Sequence, residues 1–328
     1  MFACAEQPGG RAYHRSARTS RFRWWMPPLT VLVFAVLLGF LWLGLELSVT
    51  LFAIMGGGGL TPGPARIGEV ASLAFGLSAT ALLIPIVLFL VRVVQWRRVG
   101  PLLSVEGRLR WGWLARCLVL AVVLVVLCLV LYRPLSAFVP AESSTTPVLE
   151  GTEFFVATML VILCVVPFQA AAEEMTLRGL VMQLVGSLGD DSGTGRFHRL
   201  LRSPWPAILA GGTLFAAVYM ALHPNDPWTV ASLAVLGTGL AWLTWRTGGL
   251  EAAIGLHLVN SLVQYTLYAY EGRVSEISTG AVVGAGLPAG AGAPLGFVLT
   301  TLQVVLYVGL VTLTARRRHV LQLSPATR

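Results

Sequence analysis

The sequence contains no lysine, little charge and few cysteines. All 23 basic residues are arginine, a compositional bias that carries no information about chemistry. Charged residues make up only 12% of the 328 residues and hydrophobic residues make up 56%, whereas about a quarter of an ordinary soluble domain is charged. The four cysteines lie in the N-terminal tail or inside apolar segments, without the paired spacing of a disulfide framework or a zinc knuckle. The composition therefore excludes an ordinary soluble domain and indicates an integral membrane protein.

Eight apolar segments are long enough to cross a bilayer, because about 20 helical residues span a hydrocarbon core of about 30 Å. They lie near 28–50, 69–93, 113–133, 154–172, 205–222, 229–245, 249–269 and 296–315. Backbone groups in lipid must be satisfied within the element, and these unbroken apolar runs lack the alternation of barrel strands. The sequence therefore predicts an all-α fold, a polytopic bundle of about eight transmembrane helices.

Arginines cluster in alternate connections, which predicts the orientation of the bundle, because short cytoplasmic loops hold an excess of basic residues. The clusters are Arg11, Arg15, Arg18, Arg21 and Arg23, then Arg97, Arg98, Arg108 and Arg110, then Arg196, Arg199 and Arg202, and finally Arg316, Arg317 and Arg318. All four fall on one side if eight spans alternate. We expect both termini on the cytoplasmic face of the cell's inner, or plasma, membrane. The net charge of +8 then reflects topology and contact with lipid headgroups, and nucleic acid is not an expected partner.

The chain is expected to divide into four stretches. Residues 1–25 form a basic cytoplasmic tail, and residues 26–150 hold the first three spans. The first apolar run is too long for a signal-peptide core and lacks a clear cleavage site, so we interpret it as a retained span. Residues 151–270 hold four spans with most of the chemistry-bearing side chains, and 271–328 combine a Gly-rich outer loop, the last span and a basic tail.

Two adjacent glutamates and an arginine, Glu173, Glu174 and Arg178, directly follow the fourth apolar segment. An ionisable side chain at membrane depth normally faces a protein or water-filled cavity and finds a partner there. On a helix Glu174 and Arg178 share a face, in the favourable order for an ion pair, whereas Glu173 points about 100° away from them. Glu173 is therefore a candidate general base. The alternative interpretation of this motif alone is an ion pair that serves helix packing.

Two further polar motifs follow on later spans. Phe215, Tyr219 and His223 recur at four-residue spacing and end at a proline turn, and His257 is followed by Asn260 and Ser261 on one helix face. Each motif alone has a structural explanation, a histidine at a helix end for the first and an interhelical hydrogen bond for the second. Together with the glutamate motif they form an ordered set on three apolar helices.

This ordered set resembles the motifs of the CPBP intramembrane protease family, also called the ABI or CAAX-protease-like family. The resemblance covers about residues 150–270. Glu173, Glu174 and Arg178 match the family's first motif, and Tyr219-x-x-x-His223 matches the second, where the family usually has phenylalanine. In the third motif the family commonly has asparagine or aspartate four residues after the histidine, where this chain has Ser261.

The resemblance implies an intramembrane endopeptidase that acts on a membrane-associated protein or peptide. Glu173, helped by His223, would hold and deprotonate the attacking water, while His257 and Asn260 would stabilise the oxyanion. Glu174 and Arg178 would fix the helix, with Tyr219 and Ser261 in support. Glu173, His223 and His257 could instead bind a single divalent metal such as zinc. No cofactor besides such a metal is indicated. The sequence leaves metal-free and metal-dependent chemistry open, although the His-Glu-x-x-His motif of soluble zinc proteases is absent.

Two other functions fit parts of the pattern. A non-catalytic immunity or scaffold protein on the same fold is favoured by the serine at position 261, and a proton-coupled transporter by the buried glutamate and histidines.

Straight alternation of the spans would keep Glu173, His223 and His257 at different depths in the membrane. We therefore expect the fourth helix to continue through Leu188, with a kink at Pro167, and the site to open toward the cytoplasm.

Overall fold

The computed structural model of the protein describes residues 10–55, 68–136, 151–222, 227–278 and 293–325. These residues contain eight long helices and no β-strand. The helices are α1 (Met26–Met55), α2 (Glu69–Val94), α3 (Trp111–Ser136), α4 (Thr152–Gly186), α5 (Pro204–Leu222), α6 (Pro227–Thr247), α7 (Glu251–Tyr270) and α8 (Ala293–Arg317). The all-α bundle expected from the sequence is confirmed.

Seven of these helices are long and apolar enough to cross a membrane within the described part of the chain. The remaining helix, α7, has 20 residues, which is also the length that a span requires. It is less apolar because His257, Asn260, Ser261 and Gln264 lie along it. The least apolar of the eight long helices is thus the one that carries His257 and its polar neighbours.

Helix α4 is the longest element, and it extends well beyond the apolar segment that marked it in the sequence. The helix continues through Pro167 and Glu174, passes into a π-helical stretch at Met175–Val181 and ends at Gly186. Glu173 and Glu174 consequently lie in the interior of the span. Single π-helical turns inside α-helices are frequent at functional sites, and this one begins directly after the glutamate pair.

The helices pack in two groups that meet at the π-helical stretch. In one group α4 packs against α2 and α7, and in the other α5 and α6 pack against each other. A methyl group on Gly237 of α6 would lie 1.9 Å from the Gly212 carbonyl oxygen of α5, so only glycine permits this close approach. Small residues allow membrane helices to pack with their backbones in contact, and here they bring α6 beside Arg178.

Two buried polar contacts fix α7 against its neighbours. At its N-terminal end Glu251 is fully buried and accepts hydrogen bonds from the Arg110 guanidinium, through Nε and Nη2, each at 2.8 Å. In its middle Asn260 and Gln303 of α8 exchange two side-chain hydrogen bonds of 3.1 and 3.0 Å. These contacts hold the helix that carries His257 from two sides.

The N-terminal segment packs against the end of the bundle where the basic clusters gather. Tyr13 is fully buried, and its hydroxyl donates to the Leu102 carbonyl. Arg18 donates to the Ser187 carbonyl just beyond α4 and pairs with Asp190 at 2.7 Å. Part of the segment described above as a basic tail thus covers the end of α4.

Candidate active site

Glu174, Arg178 and His257 form a hydrogen-bonded triad at the junction of α4 and α7. Glu174 is fully buried, and its Oε1 accepts from Arg178 Nη1 at 3.0 Å and from His257 Nδ1 at 2.7 Å. The ion pair expected from the four-residue spacing is present, even though the π-helical stretch begins between its members. Because Nδ1 donates to Glu174, the other ring nitrogen, Nε2, is directed away from this carboxylate.

Glu173 lies on the other side of the same imidazole. Its Oε2 is 3.5 Å from His257 Nε2, and its Oε1 accepts a hydrogen bond from the Gln169 side chain one turn earlier on α4. The Glu173 side chain is 19% exposed, whereas that of Glu174 is fully buried. The two adjacent glutamates are therefore differentiated by their surroundings. Glu174 is held by a cation and an imidazole, and Glu173 is accessible to a small molecule.

The triad and Glu173 line a cavity with a volume of about 280 Å³. Polar groups from α4 and α7 line one part of it, namely Gln169, Glu173, Glu174, Arg178, His257, Ser261, Gln264 and Tyr265. Apolar groups from α2, α5 and α6 line the rest, among them Leu73, Leu77, Phe215, Leu233, Leu236 and Leu240. An apolar cavity with a few convergent polar groups is the usual form of a binding site.

Part of the cavity lining lies toward the end of the bundle opposite the basic clusters, and the expected opening toward the cytoplasm stays a prediction. The lining residues on α2 lie between Leu73 and Thr80, near the start of that helix, and Ile277 follows α7 at the same end of the bundle. The π-helical stretch, α5 and the short helix Gly100–Leu103 pack together on the basic side.

The structure brings some of the predicted site residues together and leaves others apart. Glu173, Glu174, Arg178, His257 and Ser261 all line the cavity. Asn260, expected beside the oxyanion, points instead toward α8, where it is 1% exposed and pairs with Gln303. The reason is helical geometry, since successive residues are turned by about 100°.

The second motif is only partly within the described residues. Phe215 lines the cavity, and Tyr219 is buried against α6 with Leu233. His223 lies outside the described residues. Of the two described aromatic residues of this motif, Phe215 thus lines the cavity and Tyr219 does not.

Several cavity residues were not found from the sequence. Gln169 precedes Glu173 by one helical turn, and Gln264 and Tyr265 follow His257 by two. Their signal was a polar side chain at helical spacing from a motif residue within an apolar segment. Thr80 of α2 carried no such signal, because it lies far from the motifs in the chain.

The described residues contain no cluster of three or more histidine, cysteine, aspartate or glutamate side chains arranged to hold a metal ion. Glu173 and His257 are close enough to act together, but a catalytic zinc site has three protein ligands. A third ligand such as His223 would come from outside the described residues.

Comparison with known proteins bears on residues 155–263, which match the family described as Type II CAAX prenyl endopeptidase Rce1-like. The matched stretch contains Glu173, Glu174, Arg178, His257 and Ser261 and therefore most of the polar lining of the cavity. No curated protein and no solved structure matches the chain. The family is one of membrane proteases, which agrees with the resemblance noted from the three motifs. Residues 155–263 therefore match a domain of the CPBP, or CAAX-protease, family.

Proposed function

We propose that the protein is an intramembrane endopeptidase that hydrolyses a peptide bond by water activated at Glu173. The observation that carries the proposal is the arrangement of Glu173 and His257, with Oε2 and Nε2 3.5 Å apart inside a mostly apolar cavity. A carboxylate with one solvent-accessible side and an imidazole beside it can hold a water molecule and accept its proton.

The reaction proceeds through a tetrahedral intermediate. The water oxygen attacks the scissile carbonyl carbon while Glu173 accepts a proton from the water. The carbonyl π electrons move to the carbonyl oxygen, which becomes the oxyanion. When the intermediate collapses, the C–N bond breaks and the protonated Glu173 returns the proton to the leaving amine. The same carboxylate thus acts first as base and then as acid, and no external co-reactant is required.

Glu174, Arg178 and Gln169 position the reacting groups. Glu174 accepts from His257 Nδ1 and so fixes the ring with Nε2 toward Glu173. Arg178 holds Glu174 in turn, and Gln169 donates to Glu173 Oε1, which leaves Oε2 directed at His257. Rigid placement of this kind lowers the cost of reaching the reactive geometry.

The substrate is a membrane-associated protein or peptide with apolar side chains around the cleaved bond. Leucines from α2 and α6 line one part of the cavity, and polar groups from α4 and α7 line another part. Such a cavity binds an apolar segment through its side chains and contacts the peptide bond through the polar groups.

The proposal is tested by incubating the purified protein in detergent with a library of membrane-anchored peptides and identifying products by mass spectrometry. Wild type should generate internal cleavage products, and Glu173→Gln should cleave at least about 100-fold more slowly, because the amide cannot accept a proton. Glu153→Gln changes an exposed acid on the same helix and should cleave as wild type does. Equal cleavage by the Glu173→Gln protein would overturn the proposal.

A parallel arm with a chelator decides whether a metal takes part. Cleavage that is unaffected by chelator supports activation by Glu173 alone. Cleavage that is lost with chelator and restored by zinc would indicate a metal-dependent reaction. Glu173 and His257 would then be the candidate metal ligands, and a third protein ligand would be required. A folded wild type that cleaves no peptide in the library would favour the immunity or scaffold role.

A further inference from the structure

The phenol of Tyr265 occupies a position in the cavity that none of the three motifs accounts for. Tyr265 follows Ser261 by one helical turn and His257 by two, and all three line the cavity. The Tyr265 phenol lies near the Ser261 hydroxyl and the Glu173 carboxylate. A hydroxyl pair thus faces the group that is proposed to activate water.

The asparagine that the sequence analysis assigned to the oxyanion is engaged elsewhere. Both the amide nitrogen and the amide oxygen of Asn260 are used by Gln303, and the side chain is 1% exposed. If His257 Nε2 faces Glu173, the cavity needs another donor for the charge that develops on the substrate oxygen. In the part of the chain that the structure describes, three side-chain donors that follow His257 on α7 line the cavity, namely the hydroxyls of Ser261 and Tyr265 and the amide of Gln264. The two hydroxyls lie near each other, and the phenol lies near Glu173.

We infer that the Tyr265 hydroxyl donates a hydrogen bond to the oxyanion of the tetrahedral intermediate and that Ser261 orients the phenol. This inference rests on the proposed hydrolysis. Ser261 donates to the Tyr265 oxygen, which leaves the phenolic proton directed into the cavity. A hydrogen bond received by the phenol strengthens the one it donates. The proton stays on Tyr265 throughout, while proton transfer takes place at Glu173.

The test compares the steady-state kinetics of four proteins on one cleaved peptide: wild type, Tyr265→Phe, Ser261→Ala and Tyr268→Phe. Tyr265→Phe removes only the hydroxyl and should lower kcat by about 100-fold with little change in KM, as for the loss of an oxyanion donor. Ser261→Ala should lower kcat by about tenfold, because the phenol keeps its proton but loses its orientation. Tyr268 is a buried tyrosine on the same helix outside the cavity lining, and Tyr268→Phe should match wild type.

A second variant separates a donor from a packing group. Ser261→Asn placed in the Tyr265→Phe background supplies an amide donor from the same helix face, and recovery of kcat by about tenfold or more supports the donor role. Thermal midpoints of all variants are measured in the same detergent, so that a loss of rate without a loss of stability is identified.

The possible failures are distinguishable. A wild type that cleaves and a Tyr265→Phe protein with unchanged kcat overturn the inference and leave the proposed hydrolysis standing. A drop in kcat that is matched by a raised KM and a lowered thermal midpoint also overturns it, because that result indicates packing. A wild type that cleaves nothing removes the proposed function and this inference with it.

Discussion

Neutralising Glu174 should destabilise the protein strongly, because its carboxylate is the buried counter-charge of Arg178. Glu174 is fully buried, and the Arg178 side chain is only 5% exposed with Nη1 3.0 Å from Oε1. Breaking a buried ion pair by removing one partner costs about 3–5 kcal/mol, since the other charge is left uncompensated. Glu174→Gln preserves the shape of the side chain and an acceptor for His257, so the loss should come from the charge.

A double-mutant cycle isolates this interaction. Glu174→Gln and Arg178→Met should each lower the free energy of unfolding by about 3–5 kcal/mol, measured by denaturant titration in mixed micelles. The double variant contains no unpaired charge and should lose less than the sum of the two by about 2 kcal/mol or more. The exposed Glu153→Gln should change stability by less than about 0.5 kcal/mol. Single variants within about 1 kcal/mol of wild type, or strictly additive losses, would refute the reasoning about a buried pair.

Three further predictions concern helix packing and the N-terminal segment. Asn260→Leu should lower the free energy of unfolding by about 1–3 kcal/mol, because Gln303 loses its buried partner. The double variant with Gln303→Leu should recover part of that loss. A loss of cleavage rate that persists in the stable double variant would contradict a purely structural role for Asn260. Gly237→Ala should lower the free energy of unfolding by about 1–3 kcal/mol, because the new methyl group meets the α5 backbone. Gly39→Ala, in open space, should not lower it. Equal thermal midpoints for the two variants would contradict close helix packing. Burial lowers the pKa of His14 below its ordinary 6.5. The unfolded chain then binds more protons than the folded one, so stability should fall as the pH drops below 6.5. The thermal midpoints of wild type and His14→Gln, measured as the pH is lowered through 6.5, test this prediction, and identical pH profiles would contradict it.

The helices could be anticipated from the sequence because membrane spans are specified locally, by length and apolarity. The apolar segment 154–172 did not reveal the full length of α4, because its last turns contain Arg178 and pack against α5 and the N-terminal segment. The extension through Leu188 was predicted only from the depth at which Glu173 and His257 must meet, and the helix ends at Gly186. The docking of Tyr13 into the basic end had no sequence signal either. It depends on the Leu102 carbonyl, far away in the chain.

The candidate site was found from the spacing of Glu174 and Arg178, because residues four apart on a helix lie together. The contact between Glu174 and His257 joins two helices 83 residues apart, and only the ordered set of motifs suggested it. For Asn260 and Ser261 the sequence placed both near the His257 face. The structure separates them, because a turn of about 100° directs one toward Gln303 and the other into the cavity.

The central claim is that Glu173 activates water for peptide-bond hydrolysis inside the membrane. It is tested most directly by kcat on a single cleaved peptide, compared between Glu173→Gln and the matched control Glu153→Gln at equal thermal midpoint. We predict that Glu173→Gln loses at least about 100-fold, the low end of the usual contribution of a general base, while the control keeps the wild-type rate. Equal kcat values for the two variants would contradict the account.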